Sequence, residues 1–267
     1  MAFYADHPYA LIPTPTFQNS QNEKDAPEGE KPDMFVRVAS EMALVHNMAI
    51  RGLNSIYLQA PHVPAPESKA FLRYVLAWHD LLHVHHSGEE ADFFPAIEAM
   101  TGQKGLMDCN VSQHKEFHDG LEAFKTYVDA CASGREKFDG SRLVTLIDGF
   151  GEALTRHLGD EIPSILGLKI FGVDKMAKLE QKFAEEGEKN MKALGLVKGL
   201  PFCLSNHDVA FEGDRWAVWP PAPSVVKLLC RHGTYWIHRK SWKFAACDRM
   251  GNLKPLYAVP GKADASS

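Results

Sequence analysis

The sequence predicts an all-α protein: an up-down-up-down four-helix bundle with an extra helix and an irregular C-terminal extension. Three observations carry this. Apolar residues recur at three- and four-residue steps through four segments between residues 33 and 170, the period of a helix with one buried face. Short breaks rich in Gly, Pro and polar residues separate these segments, and connections this short favour antiparallel neighbours. Histidines and glutamates fall on the predicted inward stripe of each segment.

Residues 1–33 mix proline, glycine and charge without periodicity, so they read as an extended N-terminal arm in which no helix is expected, flexible around QNSQNEKDAPEGEKPD. The arm's Tyr4, Tyr9 and Phe17 are candidates to anchor it. The bundle is placed at 34–170. Its first helix follows Asp33, a plausible cap, through Phe35, Val38, Met42, His46, Ala49, Leu53 and Ile56, and APHVPAPE ends it. A second runs from about Glu67 to Met100, with Trp78, Leu82, His85, Glu89, Phe93 and Ile97 on one stripe and a kink expected at Pro95. After TGQKG, a third carries Met107, Val111, His114, His118, Leu121, Phe124 and Val128. After SGREKFDG, a fourth presents Leu143, Ile147, Phe150, Leu154, His157, Glu161 and Ile165.

Residues 171–267 form an accessory part that packs on the bundle. A fifth amphipathic helix is expected over 174–194, with Met176, Leu179 and Phe183 on one side and lysines and glutamates on the other. Residues 199–260 hold four of the five tryptophans amid prolines and polar runs, a composition of loops and short strands; Trp216, Trp219 and Trp236 are the expected anchors. His207, Asp208, His232 and His238 read as dispersed surface groups rather than a second site.

The net charge of −5 and a pI near 6.2 argue against a nucleic-acid backbone or an anionic membrane as partner. The first residues lack the basic start and apolar run of a signal peptide, and no stretch approaches a membrane span, so a cytoplasmic protein is expected. Five cysteines without CxxC spacing point to reduced, mostly structural thiols.

Seven residues are the candidate metal ligands: His46 alone, then the pairs His85 with Glu89, His114 with His118, and His157 with Glu161. Residues four apart on a helix lie one turn above each other, so each pair can chelate one site. A lone histidine such as His46 is more often a hydrogen-bonded core residue than a ligand, and an HxxxH pair alone is common on helix surfaces. The argument is joint: five imidazoles and two carboxylates in one core cost several kcal/mol per ionised group unless cations compensate. His86 and Glu90 share a flank with His79 and His83 and read as a solvated or rim face; Asp160 is rotated away from the stripe. Imidazole with carboxylate suits iron, manganese or zinc; without an inward cysteine, iron is preferred, though another divalent metal is possible.

The run HxxxE, HxxxH, HxxxE after an isolated helix histidine, with the phrase HHSGEEADFFPAIE, resembles the hemerythrin family, specifically the hemerythrin-like HHE cation-binding domain. The resemblance covers residues 34 to 170, and the extended chain is similar to fungal hemerythrin-like proteins. It implies two non-haem iron ions joined by an oxo or hydroxo bridge. One would take His114, His118 and His157, the other His46 and His85, with Glu89 and Glu161 bridging. The family's oxygen carriers end on an aspartate five residues after the last histidine, whereas here a glutamate stands at four, as in relatives that sense or handle iron. The expected function is therefore a di-iron protein that binds dioxygen or another small molecule, or senses oxygen, iron or redox state. The alternative is a di-iron oxidase or oxygenase acting on a small organic substrate, with the tail building its pocket. Metal storage is weaker, because two metals supply no carboxylate cavity for a mineral.

Overall fold

A computed structural model describes residues 3–22 and 32–260. Residues 23–31, where most of the expected flexible stretch falls, and 261–267 lie outside the described residues. Four long helical segments make the bundle: α2 (Met34–Gln59), α3 (Ser68–Gly88) continued by α4 (Phe94–Thr101), α5 (Asp108–Ala132), and α6 (Gly140–Asp148) continued by α7 (Gly151–Gly167). They close as a ring, α2 against α3 and α7, and α5 against α3 and α7. Among the described residues there is no strand; an isolated antiparallel bridge between Cys247 and Leu253 stands where short strands were expected.

Asp33 caps α2 as expected, its Oδ1 accepting from Val36 N at 2.9 Å. α2 is buried nearly all round, which marks it as the central helix. One of its faces is polar: Ser40, Asn47 and Asn54, seven residues apart, hydrogen-bond the arm. Asn54 Oδ1 accepts from Tyr9 N at 2.9 Å, Asn47 Oδ1 from Ile12 N at 2.7 Å, and Ser40 Oγ from Thr16 N at 3.0 Å. The arm thus runs along α2, which satisfies the amides of Tyr9, Ile12 and Thr16. Contrary to expectation it also contains a helix, α1 (Pro15–Asn22). Of its aromatics, Tyr9 packs edge-on to Tyr57 at 6.0 Å, whereas Tyr4 is exposed.

The expected kink in the second segment is a π-turn over Glu89–Phe93, where Phe94 N–H reaches back five residues to Glu89 O. Pro95 explains it, since its ring excludes the normal four-residue pairing at the start of α4. The fourth segment breaks at Gly149–Phe150.

The fifth helix, α8 (Leu179–Leu194), packs on α2 and α3. It approaches α3 at Gly88, where a Cβ would collide with Glu186 Oε1 and Asn190. The tail adds α9 (Leu200–Asn206), α10 (Ser224–His232) and α11 (Arg239–Trp242). It belongs to the main core: Phe202, Trp219, Trp242 and Phe244 pack in one cluster with Phe71, Tyr74 and Trp78. Trp242 is the anchor in place of Trp236, which is exposed. A second tie is Arg51, fully buried on α2, whose Nε donates to Asp6 Oδ1 at 2.9 Å while Nη2 faces Asp208 Oδ2 at 3.7 Å. Glu212 joins arm to tail by accepting from Thr14 N at 2.8 Å and from Trp216 Nε1 at 2.8 Å.

The apolar interior has two parts with a polar layer between them. One is built from Met34–Ala43, Phe93, Ile97, Met107, Ile162 and Ile165; the other from Leu44 onward with Trp78, Leu82, Phe117, Phe124, Leu154 and Leu158. Histidines and glutamates of α2, α3, the π-turn that follows α3, α5 and α7 occupy the seam.

Candidate metal centre

Six of the seven expected ligands meet at this seam: His46 from α2, His85 from α3, Glu89 from the π-turn, His114 from α5, and His157 and Glu161 from α7. His118 does not. Its side chain is 66% exposed and its ring pairs only with the exposed Asp119 at 3.2 Å. The reason lies in α5, whose inward stripe runs His114, Phe117, Leu121, Phe124, Val128. Phe117 and His118 compete for the same turn, and burying the phenyl ring is favoured over burying an imidazole. His86 takes the vacated place, correcting its assignment to the rim. Its ring lies 4.4 Å from His114 and 5.3 Å from both Phe117 and His157, centroid to centroid. Its flank of α3 is not solvated, because α5, α8 and the tail cover a wide arc of that helix; His79 is buried with it, while His83 is exposed.

The donors form two groups. His46 Nε2 and His85 Nε2 face each other at 3.1 Å. His114 Nε2 and His157 Nε2 do so at 3.0 Å, with His86 beside them. Two carboxylates span the gap. Glu89 Oε1 lies 3.1 Å from His85 Nε2 and Oε2 3.7 Å from His114 Nε2, while Glu161 Oε2 lies 3.4 Å from His46 Nε2 and 3.9 Å from His157 Nε2.

Outer partners fix the tautomers. His46 Nδ1–H donates to Leu158 O at 2.7 Å, His114 Nδ1–H to Glu90 Oε1 at 2.6 Å, and His157 Nδ1–H to Gln113 Oε1 at 3.1 Å. A neutral ring whose proton sits on Nδ1 presents a lone pair at Nε2. His114 and His157 therefore turn two lone pairs toward each other across 3.0 Å, which is repulsive unless a positive charge lies between them.

No ring proton supplies that charge. Burial pushes the His85 imidazole down to about 3 and His157 to about 2, with neighbouring imidazoles adding to the effect. Burial likewise holds His46 and His86 well below the usual range, and lowers His114 against the opposing pull of Glu90. The carboxyls move the other way: burial lifts Glu161 to about 8 and Glu89 well above the ordinary value, with Glu186 adding to both. None of the four oxygens of Glu89 and Glu161 has a hydrogen-bond partner, since the close imidazoles approach outside hydrogen-bond geometry; His86 Nε2 is orphaned too. Buried carboxylates aimed at imidazole lone pairs fit a cation, which satisfies both kinds of donor at once.

The site is closed. None of the seven residues of the seam is more than 8% exposed, and neither of two clefts on the surface is lined by any of them. The four polar residues of the tail do not converge. His207 is buried, bonded to Trp216 O at 2.9 Å and packed on Trp219; Asp208 is also buried and serves Arg51; His232 is exposed. The first two thus correct the expectation of surface groups.

The sequence profile of the hemerythrin HHE cation binding domain matches residues 37–163, a span that holds every donor of the seam. A protein named dimeric xanthone biosynthesis cluster protein, from Cryptosporiopsis sp. (strain 8999), is 32% identical over 247 residues, 89% of this chain and 90% of that one. The chain belongs to the hemerythrin HHE cation-binding family. Its likeness to this relative extends well beyond the hemerythrin-like bundle, over most of the chain. No solved structure matches the chain.

Within the hemerythrin-like set, the missing signals differ in kind. Phe117, three residues after His114, competes openly for the stripe and was readable. The inward turn of His86 was not, because it depends on what covers α3. Glu90 and Gln113, the partners that orient His114 and His157, carry no pattern of their own.

Proposed function

We propose that the chain holds two non-haem iron ions at this seam and binds dioxygen there. One iron would be held by His46 and His85, the other by His86, His114 and His157, with Glu89 and Glu161 between them. The observation that carries this reading is the division of the donors into a pair and a triad of histidines, straddled by two unpartnered carboxylates. The donor chemistry favours iron: the seam contains no cysteine. When bound, a reduced iron pair supplies the two electrons needed to take up dioxygen reversibly. The chain's part is then to keep the ring nitrogens aimed through Leu158 O, Glu90 and Gln113, and to exclude bulk water. Only two histidines stand on the His46–His85 side, so a metal held there would have room for a small ligand, and the buried setting suits one the size of dioxygen.

A second reading is an oxidase or oxygenase acting on an organic substrate. It is favoured by the relative's name, which places that protein in a biosynthesis cluster, and by a tail that a minimal carrier would not need. The test is anaerobic loading with ferrous iron, metal counting, and an optical spectrum as air is admitted and removed. Two irons per chain with a visible band that appears and disappears with air supports dioxygen binding. Irreversible oxidation at the same stoichiometry supports the second reading, and failure to hold two metals refutes both.

A further inference from the structure

The C-terminal part exposes an apolar surface in a strongly basic setting. From Arg215 to Cys247 the sequence has six Lys and Arg residues and no acid, in a chain whose overall charge is −5. α10 lies in this stretch with its apolar stripe facing outward. Val225, Leu228 and Leu229 share one helical face and are 60%, 56% and 64% exposed, while Cys230 is buried. The next segment, Thr234–His238, continues the surface with Trp236 at 48% and Ile237 at 60%, and Leu196 on a turn packed against that segment is 55% exposed. Arg239 stacks over the Trp236 ring at 5.8 Å, and Lys240 beside it is exposed. An amphipathic helix that turns leucines to solvent, with a half-exposed tryptophan and flanking cations, has the composition of a segment lying in a lipid interface. A soluble protein does not otherwise leave such an apolar cluster uncovered.

We propose that α10 and residues 234–240 dock on an anionic lipid surface. The apolar stripe would enter the headgroup boundary, while Arg239 and Lys240 meet the lipid phosphates and carboxylates. Charge decides the occupant. Lys243 is paired with Glu67, but Arg239 and Lys240 have no ion-pair partner among the described residues, so a second copy joined through the same face would set these cations against their own copies, whereas an anionic bilayer offers both apolar depth and opposite charge. The whole-chain charge, which argues against a membrane partner, hides this local excess.

The test is co-sedimentation of the full chain with vesicles of equimolar phosphatidylserine and phosphatidylcholine, with pure phosphatidylcholine as control. The expected result is binding to the mixed vesicles only, release at high salt, and a blue shift of tryptophan emission. Leu228→Glu with Leu229→Glu should abolish binding. Arg239→Gln and Lys240→Gln should weaken it about fivefold for each charge removed. These side chains are exposed, and far-ultraviolet circular dichroism checks that the variants fold. No binding, equal binding to uncharged vesicles, or undiminished binding by the leucine variant overturns the proposal. So does a wild-type dimer that the leucine variant converts to a monomer, because a second copy would then cover the face.

Discussion

Exchanging the roles of two histidines gives a sharp test of the metal centre. His118→Ala removes a ring that is 66% exposed and has Asp119 as its hydrogen-bond partner, so stability should change by no more than about 0.5 kcal/mol and the metal content should be unchanged. His86→Ala removes a buried ring packed on His114, Phe117 and His157. Losing an outer partner of a metal ligand costs about 10–100-fold in metal affinity, and losing a ligand should cost at least that much. In the metal-free protein the effects oppose each other. Deleting a buried group whose Nε2 has no partner relieves about 1–3 kcal/mol of desolvation, while the cavity left behind costs a similar amount. The metal-free variant should therefore stay folded, which separates metal loss from unfolding. The assay is metal content after equilibration with a graded chelator, beside urea unfolding of both forms. Equal retention by the two variants, or greater loss in His118→Ala, would refute the assignment of His86 to the triad.

Other outcomes follow from the same structure. In the metal-free protein Glu161, raised to about 8, and Glu89, raised well above the ordinary value, keep protons that the unfolded chain gives up near 4.5, so stability falls as pH rises from about 4.5 to 8. His85 and His157, depressed to about 3 and 2, act on the other side, so stability also falls as pH drops below 6.5; the two effects oppose each other where they overlap, urea titrations in chelator should show an optimum there, between about 4.5 and 6.5, and a fall toward pH 8 that persists in metal-loaded protein would sink the account. Deleting residues 199–267 should unfold the bundle, because Phe202, Trp242 and Phe244 are each fully buried and each worth about 1.5–3 kcal/mol; a helical truncated chain with native-like melting would show the core is not shared. Arg51→Met should cost about 1–3 kcal/mol, mostly from leaving Asp208 uncompensated since Asp6 is well solvated, and Asp208→Asn should recover part of it in a urea double-mutant cycle.

How much of this was legible in the sequence depends on whether a feature is local. The four bundle segments, the Asp33 cap and six of the site residues follow from period and spacing, because each helix buries one stripe whatever surrounds it. The helix Pro15–Asn22 was hidden by the polar composition of the arm, and its partner surface by an apolar helix. The clue was the seven-residue spacing of Ser40, Asn47 and Asn54, three polar residues aligned on the buried α2. His118 failed because an HxxxH pair was read without weighing Phe117. His86 failed for a different reason: α3 was treated as a helix with a free side, and nothing within its own sequence says that later elements cover that side.

That covering changes the electrostatics of the seam as well as its exposure. Gly88 lets α8 approach α3 closely enough to bury Glu186, whose carboxyl is lifted to about 7 by burial against its hydrogen bond from Asn190. Glu186 in turn raises both Glu89 and Glu161, so the fifth helix adds negative potential to a site that already has two carboxyls to satisfy. A cation entering the seam gains from that potential without touching Glu186. Glu186→Gln should accordingly lower metal affinity about tenfold, at the low end of what outer groups contribute, while leaving the number of metals bound unchanged. Chelator competition measures it. An unchanged affinity would mean that α8 merely covers the site, and loss of one metal would mean that Glu186 is a ligand. The tenfold loss at full stoichiometry would make the fifth helix an electrostatic part of the centre, built from a segment outside the four helices that carry the donors.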